Sequence, residues 1–377
     1  MTSSPVATVD IPTPDDWHVH LRDDEMLGAV APLTARRFRY ALVMPNLVPP
    51  LATTAAVAAY RDRILAAVGP AGAATGFTPV MAAYLHPDLT GPDLRAGYAA
   101  GVVGAVKYYP AGATTNSEYG GASLLGFRPL LEMMAAGGIP LLVHAESTDP
   151  EIDIFDRERV FLDRELAPVV EALPELAVTV EHLSTRAGVE FVAAHDQVRG
   201  TITPHHLACD RTDLLANGLR PDLYCKPIVN SPADRRALVA AAISGRTDLF
   251  LGTDSAPHPT TDKYAATARP GVFNAPYALE VVAEVFHRHG ALDRLAGFVS
   301  VHGAAHYGHP PAATTVRLTR REPAPPPDGG TGDGGPDRGE LVVPGGQRVR
   351  IFGVAEAARW RVGTPSDPPS TVSPPSV

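Results

Sequence analysis

Cysteine is nearly absent from this chain, with only Cys209 and Cys225 among 377 residues. Two cysteines build no disulfide framework and their spacing matches no zinc knuckle, which suits a reducing compartment. Positive charge is also scarce. Lysine and arginine number 32 against 41 acidic residues, a formal net charge of −9, which argues against a polyanion, and so against nucleic acid, as the main partner. No apolar run approaches membrane-spanning length, and residues 1–11 carry neither a basic start nor an apolar stretch. The expectation is a cytoplasmic protein with no membrane partner.

What is present is enough apolar material, 45% of the residues, to bury one large barrel or two ordinary domains. Short apolar runs recur at 17–21, 40–44, 78–85, 104–108, 140–144, 177–182, 200–203 and 248–252. Between them, 54–68, 124–136, 156–173, 186–194 and 232–244 have the apolar spacing of amphipathic helices. Eight alternations of strand and helix are the count of an α/β fold of the (β/α)8 TIM-barrel type, whose functional residues sit at the carboxyl ends of the strands. Residues 256–276 read as a long loop, with helical patterns resuming at 276–289 and 292–299. The chain divides into a barrel over 1–321, a Pro/Gly-rich linker over 322–340, a segment over 341–362 that packs back on the barrel, and a disordered tail over 363–377.

Polar residues that can hold metal stand at the ends of these runs. His18 and His20 in Trp-His-Val-His are one residue apart on an extended segment, so both imidazoles point to one side. They are either a metal grip or two histidines at a strand end. His144 in Leu-Val-His-Ala-Glu and His182 in Val-Glu-His-Leu-Ser close their own runs, as ligands or as hydrogen-bonded structural residues. Lys107 follows Gly-Val-Val-Gly-Ala-Val, so its amine ends in the barrel mouth, where a bare charge is costly. It either reaches solvent or stays neutral and takes up carbon dioxide as a carbamate that bridges two cations. Asp254 in Leu-Gly-Thr-Asp-Ser is the acidic partner, able to accept a proton from water at a metal.

Together these stretches resemble the amidohydrolase superfamily and, within it, the shorter single-function bacterial type of the dihydroorotase family. The likeness is carried by Asp-Trp-His-Val-His-Leu-Arg-Asp, Val-Met-Pro-Asn-Leu, Lys-Tyr-Tyr-Pro-Ala-Gly-Ala-Thr-Thr-Asn-Ser, Leu-Leu-Val-His-Ala-Glu, Val-Glu-His-Leu-Ser-Thr, Tyr-Cys-Lys-Pro, Leu-Gly-Thr-Asp-Ser-Ala-Pro-His and Phe-Asn-Ala-Pro. It implies two zinc ions per chain: His18, His20 and Asp254 on the more buried one, His144 and His182 on the second, and carboxylated Lys107 between them. It further implies reversible interconversion of (S)-dihydroorotate and N-carbamoyl-L-aspartate in pyrimidine biosynthesis, with Asp254 as the catalytic proton carrier, and a homodimer.

The same resemblance assigns the substrate carboxylate to Arg22, Asn46 and His258, a closing loop to Thr114 and Thr115, and further substrate contacts to Lys226 and Pro270. Arg22 lies two residues beyond His20 along the extended segment, which puts its planar fork on the same face. Without the metal set, Arg22 reads as a rim salt-bridge residue, Asn46 as a turn, His258 as a loop residue and the threonines as an ordinary connection. Two departures stand out. The family's cysteine-rich loop is replaced by Ala-Ala-Thr-Ala-Arg-Pro-Gly, which puts Pro270 where a backbone N–H donor is expected, and proline has none. Asn230 and Ser231 stand where basic residues are usual. The rival readings are a hydantoinase-like or dihydropyrimidinase-like enzyme, which has the metals but no need of the carboxylate clamp, and a catalytically inactive barrel serving as a structural partner.

Overall fold

The computed structural model describes residues 7–321 and 339–366. A first strand, β1 (Thr8–Pro12), precedes eight that follow one another in space as in sequence. These are β2 (Asp16–Val19), β3 (Tyr40–Val43), β4 (Thr78–Tyr84), β5 (Ala105–Tyr108), β6 (Leu141–Val143), β7 (Val178–Val180), β8 (Val198–Ile202) and β9 (Leu249–Leu251), each parallel to the next. Every apolar run expected as a strand is one. The ends of the sheet meet where Val19 bridges Ser255, His20 N–H donates to Ser255 O at 3.0 Å and Asp254 N–H donates to His18 O at 2.8 Å. The fold is a (β/α)8 barrel, and its strands are buried on both faces, as parallel strands must be.

Hydroxyl caps mark where the chain leaves the sheet for a helix. Thr53, Thr185, Thr203 and Ser231 each accept a backbone N–H in the first turn of the helices Thr54–Val68, Arg186–Ala194, Pro204–Ala208 and Pro232–Ala242. Inside the barrel, Trp17, Leu42, Ala82, Ala105, Leu142 and Phe250 pack as a plug. Trp17 stacks on Tyr307 at 4.5 Å and lies so close to Gly303 that a Cβ there would meet the indole.

Three boundaries differ from expectation. The helix Asp24–Ala35 was not anticipated, because Pro32 lies inside it and proline ordinarily interrupts a helix. The helix expected over 156–173 is three pieces, with a widened turn at Leu162–Leu166 between Arg157–Phe161 and Ala167–Ala172. The tail expected to be disordered from 363 onward begins with ordered chain. Gly363 N–H donates to Arg317 O, and Ser366 exchanges backbone bonds with Thr315. The rest of that tail, and residues 322–338 of the expected linker, lie outside the described residues.

A second sheet lies outside the barrel: β1 pairs with β10 (Thr315–Arg320), which pairs with β13 (Trp360–Val362), all antiparallel. A ribbon of β11 (Glu340–Val342) and β12 (Arg348–Arg350) precedes β13. Phe352 N–H then donates to Phe273 O at 2.8 Å, tying this segment to the loop before the helix Ala278–Arg288. Glu284 on that helix is the knot. Its carboxylate accepts from Arg288 (2.9 Å), Arg320 (3.2 Å), Arg359 (3.2 Å) and the Trp360 indole N–H (2.9 Å).

Burial acts to raise the Glu284 pKa, but the bonds from Trp360, Arg320 and Arg288 outweigh it and hold the carboxyl down at about 2. A depressed carboxyl stabilises the fold above its unfolded pKa of roughly 4.3 and loses that contribution as pH falls toward its folded value. Melting temperature should therefore drop more steeply in wild type than in Glu284→Gln as pH falls from about 4.3 toward 2. Parallel slopes for the two proteins in a pH series of thermal melts would remove Glu284 from this role.

Candidate metal centre at the barrel mouth

The site is built from the carboxyl ends of five barrel strands. β2 delivers His18 and His20, β5 Lys107, β6 His144, β7 Glu181 and His182, and β9 Asp254. Three of the residues that face the mouth or its rim hold backbone angles rare outside glycine: Arg22 (φ 60°), His182 (φ 45°) and Asp254 (φ 45°). Such angles cost about 1–3 kcal/mol each and persist where the surroundings enforce them. His182 N–H donates to Thr201 Oγ1 at 2.7 Å. The two hydroxyls and two amides of Ser184 and Thr185 converge on the buried Glu158 carboxylate. Across the barrel seam, buried Asp16 accepts from Thr253 N–H (2.8 Å), Thr253 Oγ1–H (2.6 Å) and His18 N–H (3.2 Å). Burial outweighs these bonds and pushes the Asp16 carboxyl up to about 7.

Hydrogen-bond partners fix which nitrogen of each ring faces the centre. Burial presses His18, His20, His144 and His182 below the usual imidazole range, so all four are neutral near pH 7. His20 Nδ1–H donates to Asn46 Oδ1 at 2.9 Å, which leaves a lone pair on Nε2. His144 Nε2–H donates to Glu146 Oε2 at 2.9 Å, which leaves one on Nδ1. His18 Nδ1 lies 3.0 Å from Glu181 Oε1, near but out of hydrogen-bond alignment. With its proton on that side, His18 too turns a lone pair inward.

His18 Nε2, His20 Nε2 and Asp254 Oδ1 then lie 3.1–3.3 Å from one another. Three lone-pair atoms so close repel unless a cation sits among them. A tetrahedral zinc with Zn–N bonds of about 2.0–2.1 Å spaces its donors about 3.3 Å apart. His144 Nδ1 and His182 Nε2 make a second pair at 3.0 Å. Imidazole rings link the two groups, His18 and His182 having centroids 5.1 Å apart. Each ring except His182, whose Nδ1 is buried without a partner, has an oxygen beside its outer nitrogen, as metal-bound histidines ordinarily do. The donor set fits two divalent cations.

Lys107 is fully buried, and burial drives its amine well below the usual lysine range. It ion-pairs with Glu181 and lies 4.9 Å from the centre of the Tyr109 ring. Glu181 is the residue that motif reading missed. It precedes His182 at the end of an apolar run, and the cost of a bare charge that singled out Lys107 applies to it equally. Glu146, two residues past His144, was missed as well; its other oxygen lies 3.7 Å from Lys226 Nζ.

The chamber above these groups is lined by Arg22, Asn46, Tyr109, Thr114, Thr115, Lys226, Pro270 and Gly271 along with the imidazoles and Asp254. Arg22 does not follow strand alternation, because β2 ends at Val19 and Arg22 turns to positive φ. Its Nε–H donates to Pro257 O at 3.1 Å and its Nη2–H to His258 Nε2 at 2.9 Å. His258 therefore stands behind Arg22 rather than on the chamber wall. Burial, helped by the Arg22 charge, pushes His258 down to about 2, so it is a neutral acceptor. Asn46 reaches the chamber, but its amide is occupied by His20 and, through Nδ2–H, by Thr115 O at 2.9 Å. Asn116 Nδ2–H donates back to Asn46 O at 3.0 Å. The loop bearing Thr114 and Thr115 is thus fastened over the chamber. Pro270 has no N–H, and both neighbouring amides are engaged, Arg269 with Asp262 O and Gly271 with Tyr224 O.

The paired histidines after β8 lie apart from this centre. His206 bonds Thr203 Oγ1 and Pro227 O, the Cys225 thiol donates to Pro227 O, and His205 Nδ1 accepts from Asn274, which also holds Thr253 O. Asn274 thereby gives His205 its proton on Nε2, so that nitrogen presents N–H rather than a lone pair. Cys209 is half-buried.

If Glu181 orients His18, Glu181→Gln should weaken zinc binding by about 10–100-fold without unfolding the protein. Competition against a chromophoric chelator measures this, and wild-type affinity in the variant would exclude the role.

No family model matches the chain. A curated protein of Ruegeria pomeroyi named dihydroorotase is 49% identical over 351 residues, spanning 93% of this chain and 97% of that one. The solved dihydroorotase of Campylobacter jejuni superposes with a TM-score of 0.81 at 30% identity, over 95% of this chain and 98% of its own. An L-hydantoinase of Arthrobacter aurescens is more distant, with a TM-score of 0.69 and 19% identity over 82% of this chain and 76% of its own. That likeness is one of fold alone.

Proposed function

Because the chain belongs to the dihydroorotase family, hydrolases of a cyclic amide, we propose that His18, His20, Lys107, His144, His182 and Asp254 hold two zinc ions for the reversible opening of (S)-dihydroorotate to N-carbamoyl-L-aspartate in pyrimidine biosynthesis. The observation that carries the metal assignment is the convergence of His18 Nε2, His20 Nε2 and Asp254 Oδ1 within 3.3 Å beside the His144–His182 pair. When bound, two such cations polarise a carbonyl and make water acidic enough to react near neutral pH.

Asp254 is the proton carrier. Its Oδ1 lies 3.1–3.3 Å from the His18 and His20 Nε2 atoms, where a bound cation would keep it a carboxylate at neutral pH. In ring opening it takes the proton of the attacking water and gives it to the departing ring nitrogen; in ring closure it does the reverse. Burial disfavours the ammonium form of Lys107, whose free amine would take up carbon dioxide at Nζ with loss of an N–H proton to solvent, and the resulting carbamate would offer the metals a carboxylate. Arg22 stays cationic although burial lowers it to about 10, and its N–H groups not used by Pro257 and His258 are left for the substrate carboxylate. The Thr114–Thr115 loop, fastened through Asn46, excludes water above the reacting atoms. Lys226 lines the same chamber and serves the substrate there, whereas Pro270 offers it only apolar contact and a carbonyl.

We further assign the protein to the cytoplasm as a homodimer. Among the described residues no helix is long and apolar enough to cross a membrane, and the dimer follows from the family resemblance.

An assay of zinc-replete protein with dihydroorotate, carbamoyl aspartate, hydantoin and dihydrouracil tests the reading. Preference for the uncharged rings would overturn it. Arg22→Met should raise KM for dihydroorotate about 10–100-fold, as loss of a charge-assisted pair implies, while zinc content stays at wild type. An unchanged KM would take Arg22 out of substrate binding.

A further inference from the structure

Lys263 is a buried ammonium to which, among the described residues, no carboxylate is bonded. It lies at the end of the short helix Thr260–Lys263 and is only 4% exposed. Nζ donates to Tyr224 O at 2.8 Å and Gly271 O at 2.6 Å, and among the described residues it pairs with no carboxylate. Burial lowers it to about 8, so it is mostly charged near neutral pH. Taking an ammonium out of water costs several kcal/mol, and two neutral carbonyls return only part of that.

The position of this charge relates it to the reaction. Gly271 lines the catalytic chamber, so Lys263 stands directly behind the wall, bonded to the backbone that forms it. Tyr224 is two residues from Lys226, which lines the chamber too, and Gly271 N–H closes onto the same Tyr224 carbonyl at 2.9 Å. The Lys263 charge is felt at His258, the residue holding Arg22. Arg22 is likewise buried, bonded to a backbone carbonyl and a neutral imidazole, and paired with no carboxylate among the described residues. Asp254 and Asp222 act on these two cations only from a distance, neither cation is bonded to a carboxylate among the described residues, and in a poorly solvated site such charges attract an anionic guest strongly.

We propose that Lys263 is a positioning residue that favours the more negative of the two reaction partners, the ring-opened dicarboxylate over the ring-closed monocarboxylate. It acts through the wall: it braces the Tyr224 and Gly271 segments and adds positive potential that neither carbonyl cancels. The inference rests on the dihydroorotase reading, which turnover of both compounds by the wild-type enzyme tests by itself.

The test is Lys263→Met in the zinc-loaded full chain, assayed in both directions. Both directions share one transition state, so kcat/KM must fall by a common factor whatever the mechanism. The informative quantity is the KM pair. KM should rise about tenfold for N-carbamoyl-L-aspartate and only about threefold for dihydroorotate, and Lys263→Arg should restore both to within about twofold. Equal rises for the two compounds, or failure of the arginine to rescue, would overturn the proposal and leave Lys263 a plain structural brace. Should the methionine variant not fold, Lys263→Gln keeps an N–H donor without the charge, and the same KM comparison decides. Wild-type turnover with no KM asymmetry in the variant refutes this inference alone, whereas absent wild-type turnover refutes the reading beneath it.

Discussion

The closure of the barrel between its first and last strands is the constraint on which the site depends. His18 and His20 come from β2 and Asp254 from the end of β9, 234 residues away by number from His20, and they meet only because the seam is stapled. The staple is Asp16, which receives three hydrogen bonds from Thr253 and His18 while fully buried. Placed one strand pitch apart and no further, the three donor atoms acquire the separations a small cation requires. A barrel open at that seam has the same side chains and no centre.

Charge is distributed unevenly around this centre. The imidazoles are kept neutral by burial, and carboxylates or amide oxygens stand beside the outer nitrogens of His18, His20 and His144, so their lone pairs point inward. Around Arg22 the pattern inverts, with Arg22 and Lys263 bonded to carbonyls and, among the described residues, to no carboxylate. The two patterns share strand ends, Arg22 lying just beyond His20 after β2 and Lys263 beyond Asp254 after β9.

Much of this was legible in the sequence because parallel buried strands read as continuous apolar runs, and all eight did. The six residues expected at a metal centre stand within or just after such runs, and the barrel brings them to one mouth. Arg22 was placed on the correct side for an incorrect reason: β2 has stopped before it, and a positive φ rather than alternation aims its side chain. Glu181 and Glu146 were passed over since each sits beside a more conspicuous histidine, although a carboxylate closing an apolar run carries the same desolvation argument as Lys107. The helix Asp24–Ala35 was hidden by Pro32, which local propensity counts as a break and tertiary packing tolerates.

Asn46 joins the metal side to the covering loop, its oxygen on His20 and its nitrogen on the Thr115 carbonyl, while Asn116 grips it in return. Moving that loop away from the mouth therefore means exchanging these bonds for water. Since the same amide orients His20, the cover and the chemistry share a single side chain, and a ligand that traps the open cover will also loosen the grip on the first imidazole.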